Sequence, residues 1–167
     1  MKHLILFRHA KSSWDDPQLL DFERPLNARG HRDAPRMALR LGEWLRQMPA
    51  PVRWASSPAR RAWDTARYVA EQLELTGNRL TPIPELYHAE PDTLLKVVRS
   101  QPDAAATVIL FGHNPGLTAF ATQLCNRDFV NIPTAGIVGI RFATAHWAEV
   151  THGAGEELFF EYPKKSV

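Results

Sequence analysis

Short apolar runs alternate with helix-periodic segments along this chain. An unbroken apolar run indicates a strand that is covered on both faces. The predicted strands in the first two-thirds of the chain are His3–Arg8, Val52–Ser56, Leu80–Ile83 and Ala106–Phe111. Two or three further strands are predicted after Gly136, at Ile137–Ala143, His146–Val150 and Glu157–Tyr162, with a turn near Gly153–Gly155.

Helical periodicity fills the segments between these strands. The predicted helices are Ala28–Met48, a helix that begins at Ser57-Pro58, Pro91–Gln101 and Pro115–Asn126. Ser57 is the expected N-cap of the second helix, and Pro35 is expected to mark an early boundary or a kink in the first. Alternating strands and helices with short connections predict an α/β protein with a mostly parallel sheet, in one domain spanning 1–167.

Composition narrows the class of protein. A chain of 167 residues can bury roughly two-thirds of its unfolded surface. The net charge of +2 does not indicate nucleic-acid binding, and no apolar run approaches the ~20 residues of a membrane span. With Cys125 as its single cysteine and Leu4–Phe7 too short for a signal peptide, we expect a cytoplasmic protein.

Cationic and imidazole side chains follow the predicted strands. Arg8 and His9 come directly after the first strand, and His113 follows the strand that ends at Phe111. Ligands of such sheets bind outside the carboxyl ends of the strands. A histidine at one strand end is usually an ordinary surface residue, but here Arg61 also lies in the first turn of a helix, on a face away from its apolar stripe. Together these groups would suit a tetrahedral dianion.

Four segments in order carry a family resemblance. They are RHAK from Arg8, DFERPLNARG from Asp21, SPARRAWDTA from Ser57 and GHNPGL from Gly112. In these motifs the chain resembles the histidine phosphatases of the phosphoglycerate-mutase-like superfamily, and most of all its SixA-type phosphohistidine phosphatases. The resemblance covers residues 1 to about 125. It implies a three-layer α/β/α fold of the phosphoglycerate-mutase-like kind.

The resemblance also implies roles for individual residues. His9 would be the nucleophile that takes the phosphoryl group, Arg8 and Arg61 would hold its oxygens, and His113 would complete the pocket. Arg24 would be a further anion contact. A neutral imidazole can attack phosphorus. We expect the adjacent guanidinium charges to lower the pKa of His9 and its other ring nitrogen to donate to a backbone carbonyl. A protonated His113 would stabilise charge on the transferring group, and no metal or other cofactor is expected.

The sequence differs from the family pattern at the position of the general acid. Relatives that cleave esters place a carboxylate shortly after a leucine downstream of the SPxxR helix, where this chain has PELYHAEP. Glu85 and His88 are the possible acids, although Glu85 and Glu90 are also typical surface carboxylates. Loss of a general acid typically lowers the rate ~10²–10⁴-fold. A labile P–N bond would tolerate that loss better than an ester.

The sequence therefore predicts a metal-independent phosphatase that works through a phosphohistidine intermediate on His9. Its expected partner is a phosphorylated protein of the phosphotransfer type, or a small phosphorylated substrate, with Lys11 and Trp14 at the rim of the site. Two alternatives remain open. One is a small-molecule phosphomonoesterase on the same fold, and the other is a non-catalytic module that binds phosphate or a phosphoprotein.

Overall fold

A mixed β-sheet forms the centre of the molecule. The structure is a computed structural model that describes residues 1–74 and 80–165. In these ranges the strands are β1 (Lys2–Arg8), β2 (Val52–Ser56), β3 (Leu80–Pro82), β4 (Thr107–Gly112), β5 (Ile137–Phe142) and β6 (Glu156–Glu161). Their order across the sheet is β3-β2-β4-β1-β5-β6. The first four in that order are parallel. At one side of the sheet β5 pairs antiparallel with β1, and β6 pairs antiparallel with β5.

Helices cover both faces of the sheet. They are α1 (Ala28–Leu45), α2 (Arg60–Gln72), α3 (Pro91–Arg99) and α4 (Gly116–Cys125). Successive side chains of a strand point to opposite faces, and β1 shows the consequence. Ile5 and Phe7 lie in the core cluster that contains Met37 of α1, whereas Leu4 and Leu6 lie in the cluster that contains the apolar side chains of α3 and α4. The predicted three-layer α/β/α architecture is confirmed.

The carboxyl ends of three neighbouring strands meet at one edge of the sheet. Arg8 of β1 pairs with Gly112 of β4, and the amide of His9 donates to the carbonyl of Gly112 over 3.0 Å. On the other side of β4, the amide of Ser57 donates to the carbonyl of Phe111 over 2.9 Å. The register therefore brings the residues that follow β1, β2 and β4 side by side.

The predicted strand His146–Val150 is wrong. This segment contains a single turn of 3-10 helix at Trp147–Glu149. Trp147 and Val150 are both buried, and their spacing of three residues is that of a helical turn. The carboxylate of Asp103 accepts from the amide of Trp147 over 2.9 Å, and the indole N–H donates to the carbonyl of Ala105 over 2.8 Å. These contacts hold the backbone out of the sheet.

Two helix boundaries also differ from the prediction. Pro35 lies inside α1, which continues to Leu45, so this proline does not end the helix. The second helix begins at Arg60 rather than at Pro58, and its N-cap, Ala59, makes no side-chain cap. Ser57 is buried, and its hydroxyl instead accepts from the amide of Ala59 and bonds to a histidine of the neighbouring strand end. No helix in the described ranges is both long and apolar enough to cross a membrane.

Candidate active site

A pocket of about 270 Å³ opens at the edge where β1, β2 and β4 end. Six side chains that the sequence singled out line it, namely Arg8, His9, Arg24, Arg61, His88 and His113. Lys11 and Trp14 line it as well, in agreement with their expected place at the rim. The structure thus brings together residues that lie more than a hundred positions apart in the chain.

His9 is buried at the base of this pocket, and its environment keeps the imidazole neutral. Its Nδ1–H donates to the carbonyl of Ala10 over 2.7 Å, as predicted. In a neutral ring this leaves the lone pair on Nε2. Burial lowers the pKa of His9 to about 3, and the charges of Arg61 and Arg8 act in the same direction against the hydrogen bond to Ala10. The Thr65 hydroxyl fixes the backbone next to His9, because it accepts a hydrogen bond from the amide of Ala10 over 2.9 Å.

His113 packs beside His9, with ring centroids 5.2 Å apart. Its Nε2 lies 2.8 Å from the hydroxyl of Ser57. Burial lowers the pKa of His113 far below its ordinary value, and the charges of His9 and Arg61 lower it further. Without an anion in the pocket, this low pKa favours the neutral form of His113. A neutral ring offers one N–H donor rather than a positive charge.

Two arginines bring guanidinium groups to the pocket from different elements. Arg8 donates to the carbonyl of Ile132 over 2.9 Å, and Arg61 is only 2% exposed. In the described part of the chain, Nε of Arg8, Nε of Arg61 and Nδ1 of His113 are buried without a hydrogen-bond partner. Buried polar groups are normally hydrogen-bonded. An anion in the pocket would supply acceptor oxygens for such groups, each charge-assisted bond contributing about 1.5–3 kcal/mol.

Asp21 is a site residue that sequence reasoning missed. It accepts hydrogen bonds from Arg24 (3.1 Å), Arg61 (3.0 Å) and Tyr87 (2.6 Å). His88 Nε2–H donates to the same carboxylate over 2.8 Å. Burial alone would raise the pKa of Asp21, but the hydrogen bonds from Tyr87, His88 and Arg61 outweigh it and hold that pKa well below its ordinary value. The sequence signal that could identify it is its place in the DFERPLNARG segment, three residues before Arg24.

Arg24 is held in the loop between β1 and α1. It donates to the Ser12 hydroxyl over 2.9 Å and to the carboxylate of Asp21. Its guanidinium lies 3.4 Å from the ring centroid of Trp14, which is 72% exposed. This is a cation–π contact. Both side chains line the pocket.

Glu85 is not brought to the pocket. It is exposed and lines a separate surface depression with Ile83 and Lys96. Glu90 is also exposed, and Arg60 points outward to Asp64 at 3.6 Å. Of the two acids predicted as possibilities, only His88 therefore lines the site. Within residues 1–74 and 80–165, no group of three or more His, Cys, Asp or Glu residues is arranged to hold a metal ion.

Comparison with known proteins identifies the family to which this chain belongs. A family profile described as histidine phosphatase superfamily (branch 1) matches residues 4–89, which include Arg8, His9 and Arg61. The chain belongs to the histidine phosphatase superfamily. An uncharacterized protein of Mycobacterium tuberculosis is 31% identical to it over 94% of this chain and 99% of its own. An uncharacterized chloroplastic protein of Arabidopsis thaliana is 33% identical over 89% of this chain and 70% of its own.

Solved structures place this superfamily member near SixA. A protein of Agrobacterium tumefaciens assigned as the phosphohistidine phosphatase SixA matches with a TM-score of 0.80 and 26% identity, over 97% of this chain and 98% of that one. The protein histidine phosphatase SixA in complex with tungstate matches in fold, with a TM-score of 0.75 and 20% identity over 96% of each chain. The phosphoglycerate-mutase-like fold and the SixA type predicted from the motifs are confirmed, and the family is one of phosphatases.

Proposed function

We propose that this protein is a phosphohistidine phosphatase that transfers the phosphoryl group to His9 and then hydrolyses the phosphohistidine intermediate. The observation that carries the proposal is the neutral imidazole of His9, fixed by Ala10 in one tautomer beside guanidinium groups. In the first step, Nε2 of His9 attacks phosphorus and the bond to the leaving group breaks. In the second, water attacks the phosphorus and the electron pair of the His9–phosphorus bond returns to Nε2.

In this proposal Arg8 and Arg61 hold the phosphoryl oxygens, and Arg24 is a further cation of the pocket. His113 serves as a neutral hydrogen-bond donor to one oxygen. The transition state of phosphoryl transfer carries its charge on these oxygens, so fixed cations and N–H groups around them lower the barrier. No metal ion takes part in the proposed reaction, because the guanidinium groups supply the positive charge.

The substrate class is inferred from the carboxylate in the site. Among the described residues that line the pocket, Asp21 is the only carboxylate, and hydrogen bonds keep it ionised. An ionised carboxylate cannot protonate a leaving oxygen. The P–N bond of phosphohistidine needs less help than an ester, since imidazole is a good leaving group. We therefore assign a phosphohistidine side chain of a phosphotransfer-type protein as the substrate, in line with the SixA relatives.

The test is a paired assay in metal-free buffer. A histidine-phosphorylated phosphotransfer protein and an alkyl phosphomonoester are offered at equal enzyme concentration. We expect release from phosphohistidine to exceed release from the ester by at least about two orders of magnitude, because imidazole is a far better leaving group than an alkoxide and the pocket has no protonated carboxyl group to assist the ester. Rapid quenching should trap an acid-labile, alkali-stable phosphoryl group on His9.

Two variants control this assay. His9→Ala should abolish both turnover and labelling, whereas His152→Ala, at an exposed histidine away from the pocket, should change neither. Ester turnover equal to phosphohistidine turnover would favour a phosphomonoesterase. Tight phosphate binding without labelling or turnover would favour a binding module and would contradict the proposal.

A further inference from the structure

We propose that His88 is a further catalytic residue, which gives a proton to the leaving nitrogen in the first step and takes one from water in the second, and that Asp21 is its positioning residue. This inference rests on the proposed function of the same site. It names the source of the proton that the ionised carboxylate of the pocket cannot supply.

His88 lies where the phosphate pocket adjoins a second depression. It lines the phosphate pocket, and it also lines an adjoining depression of about 380 Å³ between the 88–91 segment and the start of α4. Its ring is 5.3 Å from that of His113, centroid to centroid. The side chain is half exposed, so its ring can exchange protons with solvent.

The contacts of His88 fix which nitrogen can act. Nε2–H donates to Oδ2 of Asp21 over 2.8 Å, so Nε2 keeps its proton in both ring forms and Nδ1 is the atom that gains or loses one. The Tyr87 hydroxyl donates to the same oxygen over 2.6 Å, and the Tyr87 ring lies 4.2 Å from that of His88. Arg61 binds the carboxylate from α2. Asp21 is therefore held on several sides while it orients the imidazole.

The backbone at His88 has an uncommon conformation. Its φ of +48° is left-handed, a conformation found in few non-glycine residues, mostly asparagine, aspartate and histidine. Such conformations cluster at functional sites. In this conformation the ring contacts the Asp21 carboxylate and lines the pocket.

The proton balance closes over one turnover. As His9 Nε2 bonds to phosphorus, the P–N bond of the substrate breaks and its electron pair stays on the leaving nitrogen, which takes the Nδ1 proton of cationic His88. Neutral His88 then removes a proton from the water that attacks the phosphorus. Phosphate leaves, His9 regains its lone pair, and His88 is cationic again. Acid and base roles fall on one residue in successive steps.

The test is the dependence of rate on the leaving group. His88→Asn preserves the backbone conformation, because asparagine tolerates positive φ, but it cannot transfer a proton. We expect the rate of His9 phosphorylation, measured before the first turnover is complete, to fall ~10²-fold or more with phosphohistidine and with alkyl phosphates. With 2,4-dinitrophenyl phosphate, whose leaving anion needs no proton, this rate should fall about threefold or less, because the substrate bypasses the proton donation assigned to His88. Hydrolysis of the His9 intermediate should slow for every substrate, since His88 is the base of that step. Imidazole added to His88→Ala should restore part of the lost rate.

Asp21→Asn tests the positioning role by its dependence on the leaving group. The groups that face His88 are the Asp21 carboxylate, the Tyr87 hydroxyl and ring, the His113 ring and, through Asp21, the Arg61 guanidinium. Removing the carboxylate should slow His9 phosphorylation by phosphohistidine more than by 2,4-dinitrophenyl phosphate, since His88 loses the charged acceptor that orients its ring. Equal losses with the two substrates would overturn the positioning role.

Failure of this inference differs from failure of the proposed function. If His88→Asn lowers the rate of His9 phosphorylation equally for all three substrates, or leaves phosphohistidine turnover unchanged, His88 is not the proton donor, while labelling of His9 still supports the phosphatase. If His9 is never labelled, the proposed function fails first. His152→Asn serves as the matched control, and thermal unfolding of each variant shows that it is folded.

Discussion

Burial of a neutral His9 makes the folded protein sensitive to acid in a way that one substitution can isolate. The pKa of this histidine is about 3 in the folded chain, against an ordinary value of 6.5. Between these values the unfolded chain binds a proton that the folded chain does not. The folded state is therefore favoured at the alkaline end of this window, and its free energy of unfolding falls as the pH is lowered.

The size of the effect follows from the two pKa values. Where the unfolded histidine is protonated and the folded one is not, the free energy of unfolding changes by about 1.4 kcal/mol per pH unit. Between pH 7 and pH 4 the contribution of His9 amounts to about 3 kcal/mol. Burial of His113 acts in the same direction. The depressed pKa of Asp21 contributes stability that is lost only below about pH 4, so it lies outside this window.

The measurement is urea unfolding at half-unit steps from pH 4.5 to 7.5. His9→Asn keeps an N–H that can donate to the Ala10 carbonyl but does not titrate. We expect its stability to vary less with pH than that of the wild type, by about one proton's slope. His152→Asn, at an exposed site, should retain the wild-type slope. Parallel curves for His9→Asn and the wild type would refute the reasoning, since they would mean that His9 binds protons equally in both states.

Three further substitutions test the site and its support. Arg61→Lys should lower kcat/KM on phosphohistidine about tenfold to a hundredfold, because an ammonium group cannot replace a buried guanidinium fork, whereas Arg60→Lys at the exposed neighbour should have little effect. Thr65→Val should destabilise the protein by about 1–3 kcal/mol in urea unfolding, since it leaves the buried amide of Ala10 without its acceptor. Gly116→Ala should lower the melting temperature, because its Cβ would lie 1.9 Å from a carbonyl oxygen of the opposing loop, and overpacking of this kind typically costs about 1–3 kcal/mol. A wild-type kcat/KM for the first variant, or an unchanged stability for either of the others, would contradict these assignments.

Periodic segments and strand ends were predictable from the sequence. The apolar run of β1 and the residues after it placed Arg8 and His9 correctly, because a strand buried on both faces is unbroken in its pattern and its end is marked by the first charges. The same logic placed His113 after β4. The segment around Trp147 failed for a physical reason. Five residues do not distinguish an alternating strand from one helical turn, and the contacts with Asp103 that decide it lie 44 positions away.

Asp21 shows the limit of such reasoning most clearly. It lies in a loop without periodicity, and its partners Arg61 and His88 are 40 and 67 positions away. Apart from its place in DFERPLNARG, nothing local distinguishes it from Asp15 and Asp16, which are exposed in the same loop. Only the contact of that loop with α2 and the 84–88 segment makes one of these three aspartates the centre of a hydrogen-bond network. The role of His88 was open for the same reason, since its orientation depends on Asp21.

The causes of the low pKa at His9 also determine how an arginine substitution should be interpreted. Burial is the largest of them, and the charges of Arg61, Arg8 and Arg24 are smaller contributions. Replacing any one of these arginines therefore leaves His9 neutral, and competent to attack, at neutral pH. A loss of activity in such a variant measures the lost binding of the phosphoryl oxygens rather than a change in the protonation of the nucleophile. In this pocket, burial keeps the nucleophile neutral, and the guanidinium groups are left to bind the anion.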